Sequence, residues 1–308
     1  MPIISVIIPL YNKSKSISNT LNSVLRQSFS DFEIIIINDG STDNSVDIIK
    51  KKNDERIKII NQKNKGVSFA RNIGIEKSNG DYILFLDADD YLYPNHIEQL
   101  MFLINKKKHL KVFTSLIEVE TKNGIFNGNY SIKKKNDDYS EIDFFESSLK
   151  KTILTISNSI FKKEIFETIG NFNTNYSNGE DTDLFIRIGF KYRIGLLQKY
   201  TSIYKYTENS LTTKKFSMQN RCDYSAYVSL EQIHPNAKKM IDINRYSLAI
   251  KCKLIGDLKS FHQISSNINI KNLNKRQVFL LNSPKVILII LINIKNGLEF
   301  LNIKTSSF

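Results

Sequence analysis

An α/β fold, with a mixed, mainly parallel sheet flanked by helices and a helical appendage behind it, is predicted by three features of this sequence. Short β-branched runs alternate with helically spaced apolar residues through about the first ninety positions, the pattern of βαβ units. Three of those runs end in polar or acidic clusters, at Pro9–Asn12, Asp39–Asp43 and Asp87–Asp90. After Lys214 the alternation stops, and only helical spacing continues to Phe308.

In order, Ser5–Ile8 is a strand broken by Pro9-Leu10-Tyr11-Asn12, and Ser16–Gln27 carries Ile17, Leu21, Val24 and Leu25 at helical spacing. Glu33–Asn38 reads as a fully buried strand running into Asp39-Gly40-Ser41-Thr42-Asp43, with a helix following over about Asn44–Asn53. Ile57–Ile60 is a third strand, Asn64-Lys65-Gly66 a turn, and Val67–Lys77 a third helix. Ile83–Leu86, bounded by Gly80-Asp81 and Pro94, is too short for a helix and too apolar for a loop. As a buried strand it delivers Asp87, Ala88 and Asp89 to the sheet edge at which open α/β sheets bind ligands. Extended chain points Asp87 and Asp89 the same way, so two hard carboxylates can converge on one divalent cation while a diphosphate fills its other positions. The plainer alternative is an acidic turn, with Asp90 capping a helix that begins near Pro94.

Further on, Pro94–Asn105 turns Ile97, Leu100, Met101 and Ile104 inward as a helix, and Val112–Val119 is a strand. Thr121–Asp138 is rich in Asn, Gly and Lys, hence an excursion or hairpin whose Lys133-Lys134-Lys135 run is a solvated face. Thr152–Phe161 reads as a strand, Lys163–Thr168 as a short helix, and Gly170-Asn171-Phe172 as a turn. Gly179 then ends a polar loop, and Leu184, Phe185 and Ile188 recur at helical spacing, placing Glu180 and Asp181 in a first helical turn. There the helix dipole favours their ionised forms, and an ionised carboxylate is what a general base needs. Past Lys214, helices are expected over Asp223–Ile233, Ala237–Ile255, Asp257–Ile264 and Arg276–Leu281. Val286–Ile294 is apolar, interrupted at Asn293, and far short of the ~20 residues that span a bilayer.

Four segments together resemble the nucleotide-sugar half of the family 2 glycosyltransferases: S-V-I-I-P-L-Y-N at 5–12, I-N-D-G-S-T-D-N-S at 37–45, N-K-G-V-S-F-A-R-N at 64–72 and G-D-Y-I-L-F-L-D-A-D-D at 80–90. The resemblance implies a GT-A fold, Rossmann-like, with residues 1–213 as the catalytic domain, 1–90 its nucleotide-sugar half, 91–213 its acceptor half, and 214–308 a basic helical region. It implies inverting transfer of a sugar from a nucleotide diphosphate sugar, commonly a UDP-sugar, to a hydroxyl of a glycan or lipid-linked acceptor. By the same resemblance Pro9, Tyr11, Asn12 and Asp39 form the base and ribose site, Asp87 and Ala88 frame the ribose and diphosphate, and Asp89 holds Mg²⁺ or Mn²⁺. Arg71, with Asn72 beside it, would face the phosphates, a surface salt bridge being the plainer alternative, and of the pair Glu180 and Asp181 the latter would be the catalytic base. The family closes a segment over the diphosphate. Here Ile203–Thr212 aligns with it, Lys205 stands as a phosphate candidate, and Thr207 falls where a His is frequent.

Composition limits the rest. With 308 residues, 41% hydrophobic and 24% charged, the chain can bury a sizeable core, and Cys222 and Cys252 are too few and too far apart for a disulfide framework. Met1–Pro9 reads as a lead into the first strand rather than a signal peptide, so a cytoplasmic protein is expected. Lys214–Phe308 holds 15 Lys and Arg against 5 Asp and Glu, which is +10 of the chain's net +13. That basic, partly apolar tail suits peripheral contact with the inner face of the cytoplasmic membrane, in keeping with work on surface polysaccharide or lipopolysaccharide. Other readings fit less. A haloacid dehalogenase-like phosphatase wants Thr or Val where Tyr91 stands, a sugar-nucleotide pyrophosphorylase needs a Gly-rich loop after Ile8, and a nucleic-acid binder leaves the acidic strand ends unexplained. A catalytically silent nucleotide-sugar binding module remains as the alternative to an enzyme.

Overall fold

The computed structural model describes residues 2–121, 124–132, 137–205 and 216–300, the last six by backbone alone. It divides into two compact units, Met1–Thr213 and Lys214–Phe308. In the first, the order is β1 (Ile4–Leu10), α1 (Ile17–Leu25), β2 (Phe32–Asp39), α2 (Ser45–Lys50), β3 (Ile57–Gln62), α3 (Val67–Lys77), β4 (Tyr82–Phe85), β5 (Tyr91–Leu92), α4 (His96–Lys106), β6 (Val112–Thr121), β7 (Gly124–Asn127), β8 (Tyr139–Ile142), α5 (Phe144–Ser147), β9 (Ser159–Lys162), α6 (Ile165–Ile169), α7 (Glu180–Lys191) and β10 (Ile194–Lys205).

Strand order along the sheet is β3-β2-β1-β4-β9-β6-β10-β5, with β7 on β6 and β8 on β10. β3, β2, β1 and β4 are mutually parallel. Beyond β4 the sheet is mixed: β9 runs antiparallel between β4 and β6, and β10 returns to parallel pairing beside β6. The chain steps outward from β1 to β3 and then crosses back to β4, so the strand order reverses between β1 and β4. A crevice opens at such a switch point, and the first and third acidic or polar clusters flank it.

Burial explains the continuous isoleucine run of β2. All eight of its residues are buried, with Ile34 and Ile36 packing toward α1 and α2, and Ile35 and Ile37 packing with Ala70 of α3 on the opposite face. Each such side chain contributes about 1.5–3 kcal/mol on leaving water. Beneath β4 the Phe85 ring meets Phe161, Phe166 and Phe172, the last at 5.2 Å. The close fit extends to the backbone: a Cβ on Gly80 would sit 2.7 Å from the Ser5 amide nitrogen.

Several elements differ from the sequence reading. Residues 152–155 are irregular and lead through a single tight turn, Ile156–Asn158, into a strand of only four residues. β5, β8 and α5 carry two to four residues each, too few to leave a periodic trace. The helix after Pro94 begins at His96 behind Asn95, and Asp90 does not cap it. The Thr121–Asp138 excursion does form a hairpin, β6 with β7, while Lys133, Lys134 and Lys135 lie outside the described residues.

The second unit is helical: α8 (Val228–Gln232), α9 (Pro235–Ile255), α10 (Leu258–Ser265), α11 (Lys275–Asn282) and α12 (Lys285–Phe300). α9 is its axis. Buried Arg245 on α9 pairs with Glu231 of α8 at 2.6 and 2.7 Å and donates to the Tyr224 carbonyl, while Asp242 takes the Asn269 amide and the Asn272 side chain. Lys253 donates to the carbonyls of Leu281 and Ser283, tying the end of α11 to α9. Cys222 and Cys252 are buried and unlinked, and burial pushes the Cys252 thiol up to about 11. Among the described residues no helix is long and apolar enough to cross a membrane.

His96, at the start of α4, is fully buried, with Nδ1 2.7 Å from the Thr201 hydroxyl of β10, and burial lowers its pKa to about 3. The native ring therefore stays neutral where the unfolded ring, titrating near 6.5, takes a proton. Stability from this group is complete above pH ~6.5 and is lost as pH falls toward ~3, by up to ~1.4 kcal/mol per pH unit. Denaturant unfolding from pH 7 to 4 should show His96→Gln with a shallower acid slope than the parent by about one proton; equal slopes would contradict this.

Candidate functional site

Four loops meet at the β1/β4 switch point. Leaving β1, Asn12 adopts a left-handed conformation, φ 51°, which asparagine tolerates better than most residues. Its side-chain oxygen accepts the Thr42 amide at 2.8 Å and the Asp43 amide at 3.3 Å, so Asn12 braces the loop after β2. The Asp43 carboxylate in turn accepts from the Ser14 and Ser45 amides and the Ser45 hydroxyl. These bonds outweigh partial burial and hold its pKa down at about 2. Tyr11 stands 48% exposed beside this frame, a ring face open for stacking, and Pro9 pairs in register with Ile37 one step inside the sheet.

Asp39 ends β2 almost fully buried. One oxygen accepts from the Gln62 side chain at 2.7 Å and the Lys65 amide at 2.8 Å, the other from the Gly66 amide at 2.9 Å. The carboxylate so shapes the turn into α3, where Gly66 takes φ 91°. The sequence could not separate this bracing from direct nucleotide contact, because both want a carboxylate at a strand end.

β4 ends at Phe85, and Asp87–Asp90 form a tight turn closed by the Asp90 amide on the Asp87 carbonyl at 3.0 Å, so the chain there is turned rather than extended as the sequence reading expected. The Ala88 methyl lies in the core and its carbonyl accepts from the Ser16 hydroxyl at 2.9 Å. Asp89 is ion-paired to the Lys13 ammonium. Asp87 accepts from the Arg71 guanidinium at 2.8 Å. Asp90 is buried, takes the Ser157 hydroxyl at 2.5 Å and the Lys205 amide at 3.1 Å, and burial beside Asp87 and Asp89 raises its pKa well above the usual carboxylate range. It thereby anchors the end of β10 to the end of β4.

Arg71 forms salt bridges, but buried ones rather than at the surface. It lies 4% exposed within α3, donates to Asp87 on one side and to Glu180 at 3.1 Å on the other, and rests over the Phe172 ring at 5.2 Å. Its two terminal nitrogens face carboxylates, not open space for phosphate. Neighbouring Asn72 makes a reciprocal pair with the backbone of Phe172, at 2.9 and 3.0 Å. The A-R-N triplet therefore binds α3 to Asp87 and to the segment leading into α7.

α7 begins behind Gly179, which is left-handed at φ 78°. Burial pushes the Glu180 carboxyl up, with Asp181 adding to the rise and Arg71 opposing it, so Glu180 departs from the expectation that the helix dipole alone governs it. Asp181 is half-buried and accepts from the Thr182 amide at 2.6 Å and the Thr182 hydroxyl at 3.3 Å, which fixes its rotamer. Further along α7, Arg187 joins Asp183 to the carbonyls of Ile169, Gly170 and Asn171. Lys205 ion-pairs with Glu120 at 3.1 Å, which draws it from the phosphate role expected of it, and Thr207 lies outside the described residues.

Among the described residues no three His, Cys, Asp or Glu groups cluster as a metal cage. Asp87 and Asp89 nonetheless supply hard carboxylates at one strand end. That set fits Mg²⁺ or Mn²⁺ completed by phosphate oxygens and water, the usual composition of such sites. Lys13 and Ser157 were missed in the sequence. Lys13 directly follows P-L-Y-N and could have been found from that position; Ser157 lies in a turn with no pattern.

The family model for glycosyl transferase family 2 matches residues 5–170. The chain belongs to that family. An uncharacterized glycosyltransferase of Haemophilus influenzae is 28% identical over 267 residues, 79% of this chain and 80% of its own length. One from Rickettsia bellii is 32% identical over 208 residues, and Escherichia coli YibD is 49% identical over 100 residues; the matches span 28% and 29% of those two proteins. Among solved structures, Staphylococcus aureus TarS 1–349 in complex with UDP-GlcNAc is similar with a TM-score of 0.63 at 18% identity, covering 91% of this chain and 78% of that one. The TarS 1–349 complex with UDP gives 0.60 at 19% identity, covering 88% and 89%. Those likenesses carry the fold.

Breaking a buried ion pair from one side costs about 3–5 kcal/mol, because the partner charge stays buried. Arg71→Met should therefore lower the unfolding midpoint sharply, and Arg71→Met with Glu180→Gln should recover part of the loss. A midpoint unchanged in Arg71→Met would remove the bridge from this account.

Proposed function

We propose that this chain transfers a sugar from a nucleotide diphosphate sugar, UDP being the nucleotide, to a hydroxyl of a glycan or lipid-linked acceptor with inversion at the anomeric carbon. The observation that carries the reading is the Arg71 guanidinium joining Asp87 to Glu180, which draws the donor-side acids and the helix bearing Asp181 to one place. Tyr11 offers a stacking face to the base, and the frame held by Asn12 and Asp39 sets the walls around it. Asp181, held by Thr182 on the first turn of α7, removes the proton from the attacking hydroxyl, while Glu180 fixes the helix start through Arg71. Asp89 and Asp87 would hold the divalent cation, which when bound offsets the charge developing on the departing diphosphate. Lys13 keeps Asp89 in place. The TarS complexes with UDP-GlcNAc and UDP support the choice of donor by likeness of fold.

Asp181→Asn keeps the shape but cannot accept a proton, so transfer should fall about 10²–10⁴-fold while calorimetry finds UDP affinity in Mn²⁺ unchanged. Asp89→Ala should do the reverse, weakening Mn²⁺-dependent UDP binding directly, and EDTA should abolish turnover of the parent. Equal binding losses in both variants, or full turnover in chelator, would contradict these assignments.

The acceptor is proposed to lie at a membrane surface. On the second unit, Val286 and Ile290 of α12 and Phe279 of α11 are each more than half exposed in a region of net charge +10. Apolar side chains rimmed by lysines suit an anionic leaflet, at about 1 kcal/mol per nearby Lys or Arg. Full-length protein should sediment with vesicles containing phosphatidylglycerol at 0.1 M salt. It should be released at 1 M salt, where the Debye length shrinks from ~10 to ~3 Å, and should bind less as Val286→Glu, Ile290→Glu. Absence of binding at low salt would move the acceptor into solution.

A further inference from the structure

A second feature of the catalytic unit lies apart from the nucleotide frame and the Arg71 bridge. Asn19, Asn22, Ser23 and Arg26 of α1 and its C-terminal cap, Tyr91 of β5 and Lys205 at the end of β10 line a cleft of about 180 Å³. Its walls are fixed. The Ser23 hydroxyl accepts the Leu92 amide at 3.2 Å and donates to the Thr20 carbonyl, and the Gln27 side chain donates to the Tyr93 carbonyl at 2.7 Å, so α1 and β5 are bonded together. Its polar groups are another matter. The Arg26 guanidinium has no carboxylate partner and the Asn19 and Asn22 side-chain amides make no hydrogen bond among the described residues, whereas most loop amides around the nucleotide frame are engaged.

Position and chemistry together identify what the cleft suits. The Ser16 hydroxyl, at the head of α1, donates to the Ala88 carbonyl, so α1 starts beside Asp87 and Asp89. Asn19, Asn22 and Arg26 then follow at spacings of three and four, one stripe of the helix, and Arg26 lies about 15 Å along the axis from Ser16 at 1.5 Å per residue. The far wall is tied to the same acids, since Tyr91 follows Asp90, and Asp90 accepts the Lys205 amide. Amides that bond hydroxyls, a tyrosine ring and the Arg26 guanidinium are groups that bind a sugar bearing negative charge, while the Lys205 ammonium beside them is already paired with Glu120. The volume is below the ~300–1,000 Å³ of pockets for drug-sized ligands, which limits the occupant to about one ring.

We propose that this cleft is a subsite for an anionic sugar unit of the acceptor, a ring carrying a carboxylate or a phosphate, held by Arg26 with Asn19 and Asn22 on its hydroxyls. The inference rests on the glycosyltransferase reading and names the acceptor class for it. A chain entering along α1 from this subsite reaches the Asp87–Asp89 edge with its growing end foremost.

The test is ligand-detected NMR and calorimetry on the full-length chain, with glucuronate and glucose 6-phosphate as the two anionic probes, glucose as the neutral one, and UDP in Mn²⁺ as a separate titration. At least one anionic probe should bind, glucose should bind at least tenfold more weakly, and Arg26→Ala should weaken the anionic probe about tenfold, the loss of one charge-assisted contact. Asn22→Ala should weaken it less, and UDP affinity should stay at the parent value in both variants. The glucuronate and glucose 6-phosphate arms decide between carboxylate and phosphate. Glucose binding as well as the charged probes, no binding of either charged probe, or indifference to Arg26→Ala would each overturn the subsite. Loss of UDP binding in the parent would instead overturn the enzyme reading beneath it.

Discussion

A buried guanidinium needs negative partners, and at Arg71 that requirement shapes the whole catalytic unit. Burial alone disfavours its charge, and Asp87 and Glu180 offset that cost, holding the guanidinium protonated. Because one acid comes from the end of β4 and the other from the start of α7, 93 positions later in the chain, satisfying Arg71 closes the sheet's central edge. Phe172 supplies the floor, and Asn72 fixes Phe172 by its backbone. Glu180 pays in ionisation tendency for its burial, whereas Asp181, one residue on, is only half-buried, which suits the base role proposed for it.

The same logic of compensated charge runs through the neighbouring loops. Lys13 answers Asp89, the amides of Lys65 and Gly66 answer Asp39, and Ser14 and Ser45 answer Asp43. Asp90 is buried beside Asp87 and Asp89, and that burial and repulsion raise its pKa against the lowering effect of its bonds from the Ser157 hydroxyl and the Lys205 amide. Carboxylates at strand ends thus divide into those that hold loops and those whose exposed oxygens face the crevice. Only the latter can meet a substrate.

How much of this was legible follows from how each feature is encoded. The β1-to-β4 half was readable because β1, β2 and β4 are largely continuous apolar runs buried on both faces and end in polar residues, while β3, only partly buried, still carries three isoleucines. The mixed half was less so, since β5 and β8 owe their pairing to β10 rather than to any pattern of their own. The site residues stood at visible strand and helix ends, but their partners did not. For Arg71 the sequence left phosphate and a salt bridge equally open, because a cation on a helix near strand-end acids suits either, and only the fold shows that Glu180 arrives. Lys13 and Ser157 were hidden for the same reason: ion pairs across 76 positions and hydroxyl bonds across 67 leave no local trace.

The central claim is that Arg71 couples Asp87 at the end of β4 to the start of α7, where the proposed base Asp181 stands. A double-mutant cycle between Asp87→Asn and Glu180→Gln, read as unfolding free energy, measures that coupling directly. Two carboxylates sharing one buried guanidinium predict non-additive losses, with a coupling energy of about 1 kcal/mol or more. Losses that simply add would show that the two acids are independent, and the account of a site closed by Arg71 would fail.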